Sequence, residues 1–162
     1  MIPEAPSPDM GEPGAAPVNR RITAVLALAG LLIAVYTLLH KLGVIVSLAC
    51  GTGTCEVVQS SRWSDFIGVP VPAWGVAGYG AILVASLMGV QPRWLEDRRI
   101  AAVLLGGSVA AFLFSVYLTV LEAFVIHAWC RWCIGSAVAA TLLFGAALPE
   151  LKKVRGRVPP DR

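Results

Sequence analysis

IAAVLLGGSVAAFLFSVYLTVLEAFVIHAWCRWCIGSAVAATLLFGAAL, residues 100–148, is a run of 49 almost uniformly apolar residues. As one helix it would extend about 73 Å, far more than the roughly 30 Å of hydrocarbon in a bilayer. The run must therefore fold back on itself. Its polar residues gather at Glu122, His127, Cys130 and Arg131, which predicts a helical hairpin with a tight turn near residues 124–129.

Two further apolar runs precede this hairpin. The segments ITAVLALAGLLIAVYTLL (residues 22–39) and PAWGVAGYGAILVASLMGV (residues 72–90) are each long enough to cross a membrane as a helix. Hydrophobic residues make up 57% of the sequence and charged residues 14%, whereas a soluble domain carries about 25% charged residues. The predicted fold class is an all-α integral membrane four-helix bundle with a short amphipathic segment in its outer loop.

The composition divides the chain into three parts. Residues 1–19, rich in Pro, Gly and Ala, are predicted to be a disordered cytoplasmic tail. Residues 20–150 are predicted to form the transmembrane domain, and residues 151–162 a basic cytoplasmic tail. Basic and aromatic residues are not interleaved as they are at nucleic-acid interfaces, so we expect no nucleic-acid partner.

The basic residues predict the orientation of the spans. With four spans, both termini and the 91–99 loop share one side, and the 40–71 loop and the hairpin tip share the other. The first side carries ten Lys and Arg residues and the second carries three, namely Lys41, Arg62 and Arg131. Because positive charge accumulates on the cytoplasmic side, both termini are placed in the cytoplasm. All four cysteines then face the periplasmic side of a bacterial inner membrane, where disulfides persist.

The last two cysteines form the C-x-x-C motif CRWC. This spacing suits an easily exchanged disulfide, and a nearby cation such as Arg131 or His127 favours the nucleophilic thiolate. Cys130 is expected at the outer mouth of the last span and Cys133 about one turn deeper on the same face. Cys130 can then meet loop thiols, and Cys133 can meet a molecule dissolved in the membrane. A permanent structural disulfide is the alternative, and His127 fits a headgroup-facing role as well as a thiolate-stabilising one.

The first two cysteines, Cys50 and Cys55, enclose the residues GTGT. Gly and Thr at these positions predict a flexible loop, which suits a disulfide carrier that moves between two partners. The following residues, EVVQSSRWSDFIGVPV, mix apolar and polar side chains and predict a short amphipathic segment on the outer surface, with Trp63 at the headgroups.

Together these features resemble the bacterial members of the vitamin K epoxide reductase family over about residues 20–150. The resemblance rests on the Cys50/Cys55 pair, on Ser60 and Ser61, on GVPVPAWGVAGY at the start of the second span, and on CRWC in the last span. The quinone-coupled disulfide oxidase of enteric bacteria carries its C-x-x-C in the first outer loop instead.

The resemblance implies a membrane thiol oxidase. A reduced periplasmic thioredoxin-fold partner, acting in trans, would reduce the loop pair at an exposed Cys50. Cys55 would then exchange with Cys130, and Cys133 would pass the electrons to a membrane quinone, ubiquinone or menaquinone. The net result would be new protein disulfides and quinol, with no metal required.

The same resemblance implies quinone contacts. Ser61 would lie beside the quinone, with Ser60 able to share its role, and Trp74 and Ala137 would lie near it. Ala137 stands where the vertebrate enzymes carry a tyrosine, which favours a plain quinone over vitamin K epoxide. Tyr79 matches the start of the second span, and Gly75 and Gly78 are interpreted mainly as packing residues that allow close helix approach.

Glu122 has two interpretations. An acid in a membrane span is often functional and can relay a proton, but a position eight residues before Cys130 predicts a solvated place near the outer interface.

Two other protein classes are compatible with paired cysteines. One is a soft-metal carrier of the mercuric-ion type. The predicted position of both cysteine pairs on the outer side argues against it, since no inner pair is left to receive an ion. The other is a membrane-anchored structural protein with two disulfides, against which the GTGT loop argues.

Overall fold

The computed structural model describes residues 15–50, 54–95 and 97–155. Four long helices dominate it. They are α1 (Ala15–Lys41), α3 (Val71–Val90), α4 (Arg98–Leu121) and α5 (Arg131–Ala147). The shorter elements are α2 (Thr54–Ser60), the 3₁₀ turns Arg62–Ser64 and Pro92–Trp94, the strands β1 (Asp65–Phe66) and β2 (Val69–Pro70), a π-helical turn Glu122–Ile126, and α6 (Glu150–Arg155).

Three helices in the described part of the chain are long and apolar enough to cross a membrane. They cover Val18–Lys41, Val71–Val90 and Arg98–Ile126, the last including the π-helical turn. Helix α5 has 17 residues and lies at the lower limit of a membrane span, about 17 residues. The protein is therefore a helical membrane protein. The crossing of the bilayer by α5, and with it the predicted total of four spans, stays a prediction.

The hairpin turn falls where the sequence predicts it. The π-helical turn continues α4 to Ile126, and His127 then adopts a left-handed backbone conformation with φ 55°. Cys130 is extended and serves as the N-cap of α5. This irregular backbone places the C-x-x-C motif across the beginning of α5.

The four long helices enclose one apolar core. Helix α1 packs against α3 and α5, and α4 packs against the same two helices. The core includes Ala27, Ile82, Leu104 and Leu143. Small residues on α1 allow α3 to come close, since the Tyr79 ring lies directly over Gly30. Close helix approach through small residues is typical of membrane proteins.

We expect Gly30→Ala to destabilise the protein by about 1–3 kcal/mol, the usual cost of overpacking a core. A Cβ atom at Gly30 would lie 2.5 Å from Tyr79 Cε1, so the ring or the helix must move. Gly106→Ala is the matched control, because a Cβ there meets no atom of the described chain within 4 Å. Thermal unfolding in detergent compares the two variants. Equal unfolding temperatures would contradict the close approach.

A small cap covers one end of the helices. It consists of α2, the 3₁₀ turn Arg62–Ser64 and the antiparallel hairpin of β1 and β2, which turns through Ile67 and Gly68 with positive φ. The sequence predicts one short amphipathic segment here, whereas the structure divides it into a helix, a 3₁₀ turn and two strands. The two-stranded hairpin is an addition to the predicted all-α fold. Lys41 at the end of α1 fastens this cap by donating to Gln59 O and Ser64 Oγ.

The other end of the helices is closed by a buried ion pair. Arg20 is fully buried and makes two hydrogen bonds to Glu150, of 3.0 and 3.1 Å. It also donates to Gly89 O and Trp94 O. The pair therefore joins α1, α3 and α6 at an end that lies about 30 Å along α1 from the cap. This separation of the two ends agrees with the predicted grouping of the loops, while the cytoplasmic placement of the termini stays a prediction.

The predicted tails differ from the structure at their edges. Most of the predicted disordered tail, residues 1–14, lies outside the described residues. Helix α1 already begins at Ala15, so residues 15–19 are helical. At the other end, α6 extends the ordered chain to Arg155.

Candidate functional site

The two cysteine pairs lie together where the cap meets the long helices. Cys50 and Cys55 form a disulfide with a Cα–Cα distance of 6.2 Å, whereas Cys130 and Cys133 are free thiols. Cys50, Cys55 and Cys130 belong to one buried cluster, and Cys133 packs against it. The apolar members around them are Leu48, Val58 and Ala128, with Tyr36, Ile126 and Trp132 at the edge. The fold thus brings together cysteines that are 75 residues apart in sequence, Cys55 and Cys130.

The loop pair is more enclosed than the sequence predicts. Cys50 is 3% exposed and Cys55 is fully buried. Cys55 also belongs to α2 rather than to a loop, and residues 51–53 of the predicted flexible stretch lie outside the described residues. The expectation of an exposed Cys50 is therefore wrong for this conformation. Solvent therefore barely reaches this disulfide in the described conformation.

The C-x-x-C thiols have different surroundings. Cys130 is fully buried at the N-cap of α5, and Cys133 is half-buried in the first turn. The pKa of the Cys130 thiol lies below its ordinary value, because the Cys133 thiol donates a hydrogen bond to it and backbone N–H groups at the start of α5 lie near its sulfur. Cys130 is therefore the better thiolate, and it lies on the side of the loop pair.

Glu122 joins the two thiols to the π-helical turn. Its Oε2 accepts a hydrogen bond of 3.2 Å from the backbone N–H of Cys130, and its carboxyl group is hydrogen-bonded to the Cys133 side chain. Glu122 is only 5% exposed, so the expectation of a solvated interfacial acid is wrong. A buried acid beside a redox thiol can take up or release the proton that accompanies thiol chemistry.

A cavity of about 480 Å³ lies beside Cys133. Its wall is mostly apolar and combines the cap with α1, α3, α4 and α5. Aromatic rings are frequent in it, namely Trp63, Phe66, Trp74, Tyr79, Phe114 and Trp132. An apolar cavity of this size with a few polar groups is typical of a site for a small hydrophobic molecule.

Four of the nine predicted site residues line this cavity and five do not, namely Ser60, Ala137 and the three cysteines of the adjoining cluster. Ser61, Trp74, Glu122 and Cys133 are part of its wall. Ser60 is exposed and donates to Glu56 O one turn back. Ala137 lies in α5 but outside the cavity wall. The structure therefore separates Ser61 from Ser60 and gives no support to a ligand contact by Ser60 or Ala137.

The polar groups of the predicted residues already have partners. The Ser61 hydroxyl donates to Val58 O at 2.8 Å, and the Trp74 indole N–H donates to Phe66 O at 3.2 Å. Either group must leave its partner to donate to a ligand.

Trp132 is a cavity residue that sequence reasoning missed. Its indole Nε1 is buried and has no hydrogen-bond partner among the described residues. A buried N–H of this kind costs about 1–3 kcal/mol unless something accepts from it. Its position between the two cysteines of CRWC was the available signal. Tyr79 was named only for its match to the start of the second span, although its hydroxyl reaches Ser136 Oγ at 2.8 Å and both residues line the cavity.

A buried disulfide next to a C-x-x-C dithiol, in a protein with membrane-length apolar helices, defines a membrane thiol–disulfide oxidoreductase. The chain matches the model of the Vitamin K epoxide reductase family over residues 21–148 and belongs to that family. The family relationship agrees with thiol–disulfide redox activity and with the quinone-type acceptors that its members use. It does not favour the soft-metal carrier.

Proposed function

We propose that this protein is a thiol oxidase that reoxidises a periplasmic thioredoxin-fold protein and transfers the electrons to a membrane quinone. The observation that carries the proposal is the placement of the four cysteines. Cys55 and Cys130 share one buried cluster, and Cys133 forms part of the adjoining cavity wall. One continuous path therefore leads from the loop disulfide to a site suited to an apolar acceptor.

The proposed relay conserves electrons at each step. Two thiols of the partner reduce the Cys50–Cys55 disulfide and become a disulfide themselves. The Cys55 thiolate then attacks Cys130 in a Cys130–Cys133 disulfide, and Cys133 leaves as a thiolate. Cys50 next attacks Cys55, which restores the loop disulfide and releases Cys130. An oxidised loop pair beside a reduced C-x-x-C pair is the arrangement that this internal exchange would produce.

The residues of the cavity fit a quinone. Its apolar wall suits the ring and the start of an isoprenoid chain, and the unpartnered Trp132 N–H suits a carbonyl oxygen. Ser61 can donate to the same ligand after rotating away from Val58, and Glu122 can supply a proton. A bound quinone accepts two electrons and two protons and leaves as quinol.

The proposed location is a bacterial inner membrane with the cysteines on the periplasmic side. Two observations support it. The sequence has ten basic residues in the segments predicted to lie on the side opposite to the cysteines, and a persistent disulfide fits an oxidising compartment. The partner acts in trans in this proposal.

Quinone reduction by the purified protein in detergent tests the function. A reduced thioredoxin-fold oxidoreductase serves as donor, with ubiquinone and menaquinone analogues tried in parallel. We expect one quinol for each partner disulfide formed. The matched control replaces all four cysteines by alanine and should show no turnover above background. Failure of the wild-type protein with every donor and both quinones would overturn the proposal.

We expect Trp132→Phe to raise the KM for the quinone about five- to tenfold, since a good hydrogen bond to a ligand contributes about 1–1.5 kcal/mol. Trp74→Phe is the matched control. This substitution removes the same ring volume from the cavity, but the indole N–H of Trp74 already donates to Phe66 O and is not available to a ligand. Steady-state kinetics over a range of quinone concentrations compare the two. An equal rise in KM for both variants would show that volume, not the N–H, matters.

A further inference from the structure

Tyr36 contacts both cysteine-bearing segments at once. Its hydroxyl accepts a hydrogen bond of 3.2 Å from the backbone N–H of Ala49, the residue before Cys50. Its ring lies 4.6 Å from the ring of Trp132, tilted by 53°. Trp132 is in turn the second residue between Cys130 and Cys133. One side chain of α1 therefore touches the backbone of the loop pair and the C-x-x-C motif.

The contact is placed where the two pairs must meet. Tyr36 packs at the edge of the same cluster that contains Cys55 and Cys130. Two thiols on separate segments exchange at a rate that depends on how often their sulfur atoms meet in line, so a fixed arrangement raises their effective concentration. A ring held between the two segments limits the positions that they can take relative to each other.

We propose that Tyr36 is a positioning residue for the internal exchange between the loop pair and Cys130. This inference rests on the proposed relay and adds a residue that does not line the cavity. The ring contributes more than the hydroxyl, because Ala49 is exposed and water can replace the Tyr36 hydroxyl as its acceptor.

The test measures the stability of the disulfide that links the two segments. In a Cys50→Ala/Cys133→Ala background the remaining cysteines, Cys55 and Cys130, can pair only with each other. The purified variant is equilibrated in dithiothreitol redox buffers, quenched with acid, alkylated and analysed by mass spectrometry. An equilibrium measurement does not depend on how quickly the reagent reaches the buried sulfur atoms.

Adding Tyr36→Leu to this background should weaken the Cys55–Cys130 disulfide about tenfold, which raises its reduction potential by about 30 mV. Tyr36→Phe keeps the ring, and we expect a change of less than twofold. The matched control measures the Cys50–Cys55 disulfide in a Cys130→Ala/Cys133→Ala background. Tyr36→Leu should leave that potential unchanged, because the bond lies within one segment.

A second variant guards against misfolding of the first. Trp132→Leu removes the same ring contact from α5 and should produce a similar shift, and the two substitutions together should shift the potential no further than either alone. Equal shifts of both disulfides, or no shift of the Cys55–Cys130 disulfide, would overturn the role of Tyr36. If the Cys55–Cys130 disulfide does not form with Tyr36 intact, the relay itself is wrong and Tyr36 loses its role with it.

Discussion

Cys133→Ala should lower quinone reduction at least about a thousandfold, the scale expected when a residue that acts in the bond-making step is removed. Cys133 is the cysteine that lines the cavity, whereas Cys130 is buried on the side of the loop pair. Without Cys133 the C-x-x-C disulfide cannot form, so electrons can reach Cys130 and go no further. Quinone reduction with a reduced thioredoxin-fold donor, with Cys133→Ala and the wild-type protein side by side, measures the loss.

Combining Cys133→Ala with Cys50→Ala shows which cysteine of the C-x-x-C motif forms a disulfide with Cys55. In Cys50→Ala/Cys133→Ala neither resolving thiol is left, so the Cys55–Cys130 disulfide formed when oxidised dithiothreitol takes up the two electrons should persist and appear as a linked peptide pair in mass spectrometry. Cys50→Ala/Cys130→Ala is the control, and we expect no comparable link from Cys55 to Cys133. Retention of more than a tenth of the wild-type rate by Cys133→Ala would mean that Cys130 itself delivers the electrons.

The second large effect concerns stability at the far end of the helices. We expect Glu150→Ala to destabilise the protein by about 3–5 kcal/mol, because it leaves the Arg20 guanidinium buried without its counter-charge. Both side chains are almost fully enclosed, with Arg20 at 0% and Glu150 at 3% exposure. Thermal or denaturant unfolding in detergent measures the loss. Quinone turnover well below the unfolding temperature should change little, since the pair lies far from the cysteines.

Asp65→Ala is the matched control, since it also removes an acid from an ion pair. Asp65 Oδ2 lies 3.4 Å from Lys41 Nζ, but its side chain is 45% exposed, and exposed pairs contribute about 0–1 kcal/mol. The double variant Arg20→Met/Glu150→Leu should be more stable than Glu150→Ala, because no buried charge remains. Equal unfolding of Glu150→Ala and Asp65→Ala would mean that water reaches the Arg20 guanidinium.

Apolar length made the long helices predictable from sequence. A run too long for one bilayer had to turn, and the polar residues between 122 and 131 gave the place of the turn. The grouping of the four cysteines followed from the same reasoning, since it requires only that α1 ends and α5 begins at the same end of the molecule.

The surroundings of individual side chains were not predictable in the same way. Glu122 lies eight residues before Cys130, and regular helix geometry would place it more than two turns away. The π-helical turn and the left-handed His127 bring the chain back, so that its carboxylate meets the N–H of Cys130. The burial of Cys50 likewise depends on its packing with Cys55, Val58 and Cys130 from separate parts of the chain. Local sequence patterns do not encode such contacts.

The burial of the loop disulfide also affects which cellular thiols can reduce it. In the proposed relay, electrons that enter from other cellular thiols would reduce quinone without oxidising the intended partner. Cys50 and Cys55 are screened from solvent, so a small thiol that collides at random finds no sulfur to attack. In the proposed relay, a folded donor could instead use its binding energy to displace the cap and expose the disulfide. The burial of this disulfide would therefore make its reduction selective for donors that bind the protein.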